Sequence, residues 1–403
     1  MKAIWIGVGI GPELCEKIIA NNGKILSAQV SESNLIQGID ALNIPMDTLN
    51  GPNIGTTVLP FVRPETWYRK ENAKDVSVGY KNVKYLNLLL KQQALCREAR
   101  RWANDYRHRE APVIFIYSMH TPFMSAAWEI KKRLPGAKIC LIVPDLPQYM
   151  DLQMSRIKKL LKAMDWWRIK HYMKKIDCYV LYAQPMAKAL GLKDGQWTVM
   201  EGSYDSAQLA DENAAPTGDK TSIMYSGVLD LRYGIPELLD AMELLDDTYE
   251  LWLTGSGNAE PLIRERAEKD KRIKFYGYLP SRQDLLNKQA QATMLISPRR
   301  DMEEASKYCF PSKLFEYMVS GRPTVSCFLA GIPEEYHSYL VELPTVTPQQ
   351  IAETVRQVAQ MSKKEQKALG DSARKFVLEH KNKYAQAKKM FLFATDAKGK
   401  DTE

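Results

Sequence analysis

The stretch "ISPRRDMEEASKYCFPSKLFEYMVSG" (296–321) gathers the groups best suited to receiving an anion. Pro311 discourages continuation of an earlier helix and Ser312 is a good N-cap, so a helix is expected to open at Lys313. Free backbone N–H groups at 313–315 would form a site for negative charge, and the Lys313 ammonium adds a full charge beside them. Helical side chains lean back toward the N-terminus, so Glu316, one turn in, can reach a group held at the helix start. A diphosphate on the amides, with ribose hydroxyls donating to Glu316, satisfies all of these groups at once. Read alone, the same letters also describe a surface helix with a solvated lysine and glutamate.

Other reactive groups are spread more thinly. "YSMHTPF" (117–123) sets His120 after an apolar run, at the carboxyl end of a strand, where ligands of open α/β sheets gather. "IVPDLPQYM" (142–150) puts Asp145 in the same kind of place, equally readable as a helix-capping acid between two prolines. "WIGVGIGPE" (5–13) carries Gly7, Gly9 and Gly11 near the spacing of a dinucleotide fingerprint, with Glu32 as a candidate ribose acid. Pro12 stands where the third glycine of that fingerprint belongs. The plainer reading is a loop that could still line a cleft, since Gly9 and Gly11 let another molecule approach the backbone closely. No Asp-x-Asp occurs, so no metal and no cofactor is expected, and amides with basic side chains take over the electrostatic work.

These residues need a scaffold. At 403 residues, 45% of them hydrophobic and 26% charged, the chain suits two globular domains of about 200 residues each. Its six cysteines lie far apart with no C-x-x-C pair, which points to a reducing, cytoplasmic setting. "AIWIGVGI" is too short to span a membrane and lacks the basic lead of a signal peptide. Residues 1–200 carry a net charge of +12 and residues 201–403 of −4, so the first half prefers an anionic partner.

Strand candidates in the first half are 3–8, 24–30, 112–118, 137–143 and 177–183, with an amphipathic stretch over 80–106. Residues 199–220 lose periodicity and read as a linker. Strand candidates then resume at 222–227, 249–255, 272–277, 292–298 and 323–328. Such alternation predicts an α/β protein of two doubly wound, Rossmann-like domains facing across a cleft. The expected division is an N-terminal domain over 1–203, a C-terminal domain over 204–375, and a last helix in 376–403 crossing back to the first domain before a frayed tail.

"MSRIKKLLKAMDWWRIKHYMKK" (154–175) holds eight Lys or Arg against one Asp, with Ile157, Leu160, Leu161, Met164 and Trp167 at helical spacings. Two readings stand side by side: a domain helix with its apolar face in the core, or a surface helix that docks on an anionic membrane. No nucleic-acid-binding module accompanies it, so nucleic acid is not an expected partner.

Several motifs in order resemble the retaining GT-B glycosyltransferases of the family 4 type, over essentially the whole second domain. "MYSGVLDLRYGIPELLDAM" (224–242) looks like that family's phosphate-side loop and helix, "LWLTGSG" (251–257) like its Gly-x-Gly turn, and "IKFYGYLP" (273–280) like the segment holding the base. The 296–325 region followed by "LAGIPEEY" (329–336) is similar to a bacterial subgroup with Pro-Arg, Phe-Pro-Ser-Lys and Glu-Tyr-Met patterns.

The resemblance implies the GT-B fold, with Glu316 on the ribose and the amides of Ser312, Lys313 and Leu314 on the diphosphate. Gly227, Arg232, Gly255, Tyr278 and Leu279 line the nucleotide, while His120, Tyr308 and Phe310 lie near the donor sugar. This chain departs from the family at Tyr308, which replaces the first glutamate of the usual pair, and at Val228 and Tyr233, which replace a basic pair. Arg299 and Lys313, ahead of Arg232, are therefore expected to meet the departing diphosphate, with His120 and Asp145 completing the catalytic set.

The function so implied is transfer of a sugar, with retention, from a UDP-sugar to a saccharide or lipid-linked acceptor of bacterial polysaccharide or glycolipid synthesis. The expected location is cytoplasmic, peripheral on the inner membrane face if 154–175 docks. A nucleotide-sugar epimerase of the same fold and a non-catalytic nucleotide-binding subunit stay open as rivals.

Overall fold

The computed structural model describes residues 2–396 apart from 22, 24–26, 108–109, 150–155, 208, 212–213, 215, 217 and 300–306. The expected frayed tail, residues 154–155 of the basic stretch and the middle of the 296–321 region lie outside the described residues. The chain divides into two compact units, one of Met1–Ser203 joined by the segment from Lys383, the other Tyr204–Asn382.

The first unit has strands β1 (Ala3–Gly7), β2 (Met46–Asn50), β3 (Phe61–Val62), β4 (Glu65–Lys70), β5 (Ala73–Ser77), β6 (Tyr80–Lys81), β7 (Val113–Tyr117), β8 (Lys138–Val143), β9 (Cys178–Leu181) and β10 (Trp197–Val199). Its helices are α1 (Pro12–Ala20), α2 (Ser27–Ala41), α3 (Asn87–Tyr106), α4 (Thr121–Arg133), α5 (Arg156–Met173) and α6 (Pro185–Leu190). Eight strands form one sheet in the order β10-β9-β8-β7-β1-β2-β5-β4, parallel except for the β4–β5 edge pair. β1 and β7 are buried along their whole length, as expected of central parallel strands covered on both faces. Strand order reverses between β1 and β7, so the loops that follow these two strands flank this sheet's switch point.

The strand expected at 24–30 is not one. From Ser27 the chain is helical, because Gln29, Glu32, Leu35, Ile36 and Ile39 are buried at helical rather than alternating spacing. The second strand is β2 instead. The expected amphipathic stretch over 80–106 divides into the short β6 and α3.

The second unit has β11 (Thr221–Val228), β12 (Tyr249–Ser256), β13 (Ile273–Gly277), β14 (Met294–Ser297), β15 (Thr324–Ser326) and β16 (Val341–Glu342). Its helices are α7 (Ile235–Ala241), α8 (Glu260–Lys269), α9 (Arg282–Gln291), α10 (Lys313–Val319), α11 (Pro348–Gln360) and α12 (Lys363–His380). The sheet is wholly parallel, ordered β13-β12-β11-β14-β15-β16. Along β11, Ile223 and Tyr225 enter the large core while Met224 points the other way, onto Trp252, Leu295 and Tyr317. Winding reverses between β11 and β14, so a ligand is expected beyond their carboxyl ends.

The change of unit falls at 382/383 rather than at 375/376. Helix α12 keeps Ala373, Phe376 and Val377 in the core of the second unit. The last helix, α13 (Lys383–Asp396), packs in the first unit on α2, where Gly38 lies so close to Lys383 that a Cβ would sit 2.2 Å from its carbonyl oxygen. Lys138 donates to Thr395 O at 2.6 Å and fixes the far end of α13.

Candidate active site

The switch point of the second unit is floored by glycine. Gly227 and Gly255 are register partners at the ends of β11 and β12. Gly255 has φ +134°, and a Cβ there would meet Gly227 O at 1.8 Å, so neither a side chain nor an ordinary backbone fits. Over this floor stands Lys313, the first residue of α10. Its Nζ donates to Tyr225 Oη at 2.9 Å and lies 4.1 Å from that ring's centre. Tyr225 Oη in turn donates to Val228 O at 2.7 Å. A Cβ at Gly227 would sit 3.3 Å from Nζ, which places the ammonium at the glycine turn.

Arg299 enters from the end of β14, its guanidinium 4.8 Å from the centre of the Tyr233 ring. Burial, with the Arg299 charge added to it, depresses Lys313 to about 7, and Glu316 only partly opposes this. Among the described residues neither Lys313 nor Arg299 makes an ion pair. Two close cations without a matching acid destabilise each other until an anion arrives.

Glu316 leaves α10 one turn later and accepts from Arg282 Nη1 at 2.9 Å. Helix α10 is keyed to β11 by Tyr317, whose Oη accepts from Ser226 N at 2.8 Å and donates to Ser226 O at 2.9 Å. Lys313 and Tyr317, one turn apart, therefore grip the same strand end.

Some expected contributions are already spoken for. Ser312 has helical backbone angles and makes no capping bond through its side chain, so it is not the expected N-cap. The amides of Leu314 and Phe315 donate to Pro311 O at 2.9 Å and Ser312 O at 3.2 Å, which closes a tight turn. They are not the free donors anticipated for a diphosphate. Leu314 is fully buried. Phe310 stacks among Phe315 and Tyr336, at 4.9 and 5.1 Å, so its ring belongs to the core rather than to a sugar. Arg232 pairs with Asp230 at 2.9 Å and is largely exposed, which fits the solvated-charge reading. Tyr278 is exposed and Leu279 half-buried in the loop after β13, while Tyr308 is half-buried just ahead of Pro311.

The first unit presents its own switch point. His120 caps α4, with Nδ1 buried and unpartnered and its ring 4.7 Å from that of Phe123. Burial, reinforced by the charge of Lys91, holds the imidazole down to about 3, so it stays neutral and offers hydrogen bonds rather than charge. Asp145 stands exposed in the bend after β8.

Glu32 is no ribose acid. It is wholly buried beneath the glycine loop, where it accepts from Trp5 Nε1 at 2.5 Å and Val8 N at 2.9 Å. Gly9 lies against Asn50, and Gly11 lies where a Cβ would strike the Glu65 carboxylate at 2.4 Å. That carboxylate accepts from the amides of Glu13 and Leu14 at 3.0 and 3.2 Å and so fills the start of α1. Sequence reasoning missed Arg282, Glu65 and Lys91. Each acts through a partner 34 to 52 positions away, or through depth of burial, and neither leaves a local signal.

The two units, each a doubly wound sheet with a switch point, together have the GT-B fold. Solved structures share it over nearly the whole chain. Sucrose-phosphate synthase of Thermosynechococcus elongatus matches with a TM-score of 0.65 at 14% identity, over 98% of either chain. HepE of Anabaena, solved in complex with UDP, matches at 0.62 and 10% over 98% of this chain and 100% of its own. The lipopolysaccharide outer core galactosyltransferase WaaB matches at 0.63 and 12%, over 98% and 99%. Such identities speak for the fold alone. Residues 220–361, which contain the whole switch-point site of the second unit, match the family model described as "Glycosyl transferases group 1", and the protein is a glycosyltransferase. No curated protein matches the chain.

Proposed function

We propose that the protein moves a sugar from a UDP-sugar onto a saccharide or lipid-linked acceptor, in the manner of the retaining family 4 type and without a metal ion. The observation that carries this reading is the pair of cations, half-buried Lys313 and ring-bound Arg299, which make no ion pair among the described residues, with Lys313 over the Gly227–Gly255 floor. As the bond from the sugar's anomeric carbon to the diphosphate oxygen breaks, negative charge builds on the diphosphate, and these two cations meet it where it forms. The acceptor oxygen bonds to the same face of that carbon, and its proton passes to an oxygen of the departing UDP. Glu316, steadied by Arg282, takes the ribose hydroxyls.

A lipid-linked acceptor is supported by α5. Leu160, Met164 and Trp167 are 64%, 58% and 73% exposed on that helix, which is a stripe unlike a core face, with Lys170 exposed on it and Lys174 exposed just past its end. Such a face fits an anionic bilayer.

The test is donor turnover. Purified protein incubated with UDP-glucose or UDP-galactose in EDTA should release UDP faster when a glycolipid acceptor extract is added, and Lys313→Met should abolish release. Turnover that demands magnesium overturns the metal-free part. An epimerised donor formed without acceptor favours the epimerase, and UDP binding with no turnover of any donor favours the non-catalytic subunit.

A further inference from the structure

A second concave site lies entirely within the first unit. Ile18 of α1, Gln29 of α2, the loop from Asn53 to Val58, Tyr80, and Asn87 and Lys91 of α3 enclose a cavity of about 420 Å³. That is the scale of small-molecule sites. Its wall is mixed in a way that suits a sugar ring. Ile18, Ile54 and Val58 offer apolar surface for C–H faces, and the amides of Asn53 and Asn87 offer polar atoms to hydroxyls.

At the bottom is Lys91, 4% exposed. Its Nζ donates to the neutral amide oxygen of Asn53 and lies 5.4 Å from the centre of the Tyr80 ring. Among the described residues, none that lines the cavity is acidic. Burial alone depresses the ammonium to about 7, and its charge also falls on His120, itself without an acid partner. A buried cation served by one amide and one ring is under-compensated. Such a lysine sheds its proton or takes an anion that completes the set.

We propose that this cavity is a saccharide subsite selecting a negatively charged sugar, with the carboxylate or phosphoryl group of that sugar seated on Lys91. The proposal rests on the sugar-transfer reading above and names its acceptor as acidic. A carboxylate carried by a uronic acid and a phosphoryl group on a sugar present the same charge-assisted contact to one ammonium, and binding separates them.

The experiment uses the full chain and ligand-observed NMR with four probes: glucuronate, glucose 6-phosphate, glucose and inorganic phosphate. At least one acidic sugar should bind tenfold or more tightly than glucose, and the tighter one identifies the group as carboxylate or phosphoryl. Lys91→Met should erase that preference. Val58→Trp, which fills the cavity from its rim without touching the lysine, should block binding of every sugar and keeps the test open if Lys91→Met does not fold. Both variants should keep the thermal shift given by UDP, which reports on the second unit. Equal binding of glucose, an acidic-sugar affinity unchanged by both substitutions, inorganic phosphate binding as well as the sugars, or no saturable acidic sugar would each overturn the proposal. Loss of the UDP response in the unsubstituted protein would instead strike the sugar-transfer reading.

Discussion

Removing the Lys313 ammonium while keeping its bulk, as Lys313→Met, isolates its electrostatic share in nucleotide binding. A unit charge about 4 Å from one diphosphate charge interacts by about 4 kcal/mol at an effective dielectric constant near 20. Desolvation consumes part of that, and hydrogen bonds to charged groups retain about 1.5–3 kcal/mol net. The expected loss in UDP affinity is therefore about 10- to 150-fold.

Acidity gives a sharper version of the same test. Lys313 sits at about 7 in the free protein, against 10.5 for an unburied lysine. UDP binds the charged form, so the free protein must take up a proton first. At pH 8 only about a tenth of the lysine carries it, and affinity should fall about fivefold from pH 7 to 8 and about tenfold from 8 to 9. UDP itself changes little there, because its second phosphate ionisation lies near 6. Isothermal titration in two buffers of different ionisation enthalpy should show uptake of about half a proton at pH 7 and nearly one at pH 8. Stability runs the other way. Between about 7 and 10.5 the unfolded chain binds the extra proton, so the empty protein gains stability as pH rises through that window. Lys313→Met should accordingly stabilise most at or below pH 7. A UDP affinity flat from pH 7 to 9, with Lys313→Met binding as tightly as the parent, would refute the reasoning.

Glu316→Ala should weaken UDP binding by about tenfold while barely affecting a 2′,3′-dideoxy nucleotide, as titration of both ligands would show. Tyr317→Phe removes all three bonds to Ser226 and strands a buried amide, so it should cost about 1–3 kcal/mol and lower the thermal midpoint by several degrees. Trp167→Glu should abolish sedimentation with anionic vesicles at low salt, and the parent should be released from them at high salt. Persistent binding by the variant would remove α5 from the membrane reading.

Strands were legible wherever both faces are apolar, as in β1, β7, β8 and β11. β2 escaped because its letters, Met-Asp-Thr-Leu-Asn, look like a loop. Its polar side chains are buried and mostly answered: Asp47 by Lys2 and Trp102, Thr48 by Asp75, and Asn50 through its Nδ2 by Thr48, with Asn50 Oδ1 left unpartnered. A propensity argument sees polarity and has no means of seeing its compensation. In the site, the spacing of Lys313 and Glu316 was readable because one helical turn relates them. The fate of the Leu314 and Phe315 amides was not, since it depends on how tightly the chain turns at Pro311. Phe310 misled for a related reason: an aromatic beside a binding motif reads as a ligand contact until its neighbours Phe315 and Tyr336 are known.

The Glu65 carboxylate plugging the start of α1 has a stoichiometric corollary. Both halves have an architecture that elsewhere grips phosphates, yet in one of them the berth is taken by the chain's own acid. The Rossmann-like scaffold occurs twice but its cargo need not: under the proposed function a saturated molecule should hold a single nucleotide, leaving the other half to whatever partner that nucleotide is spent upon.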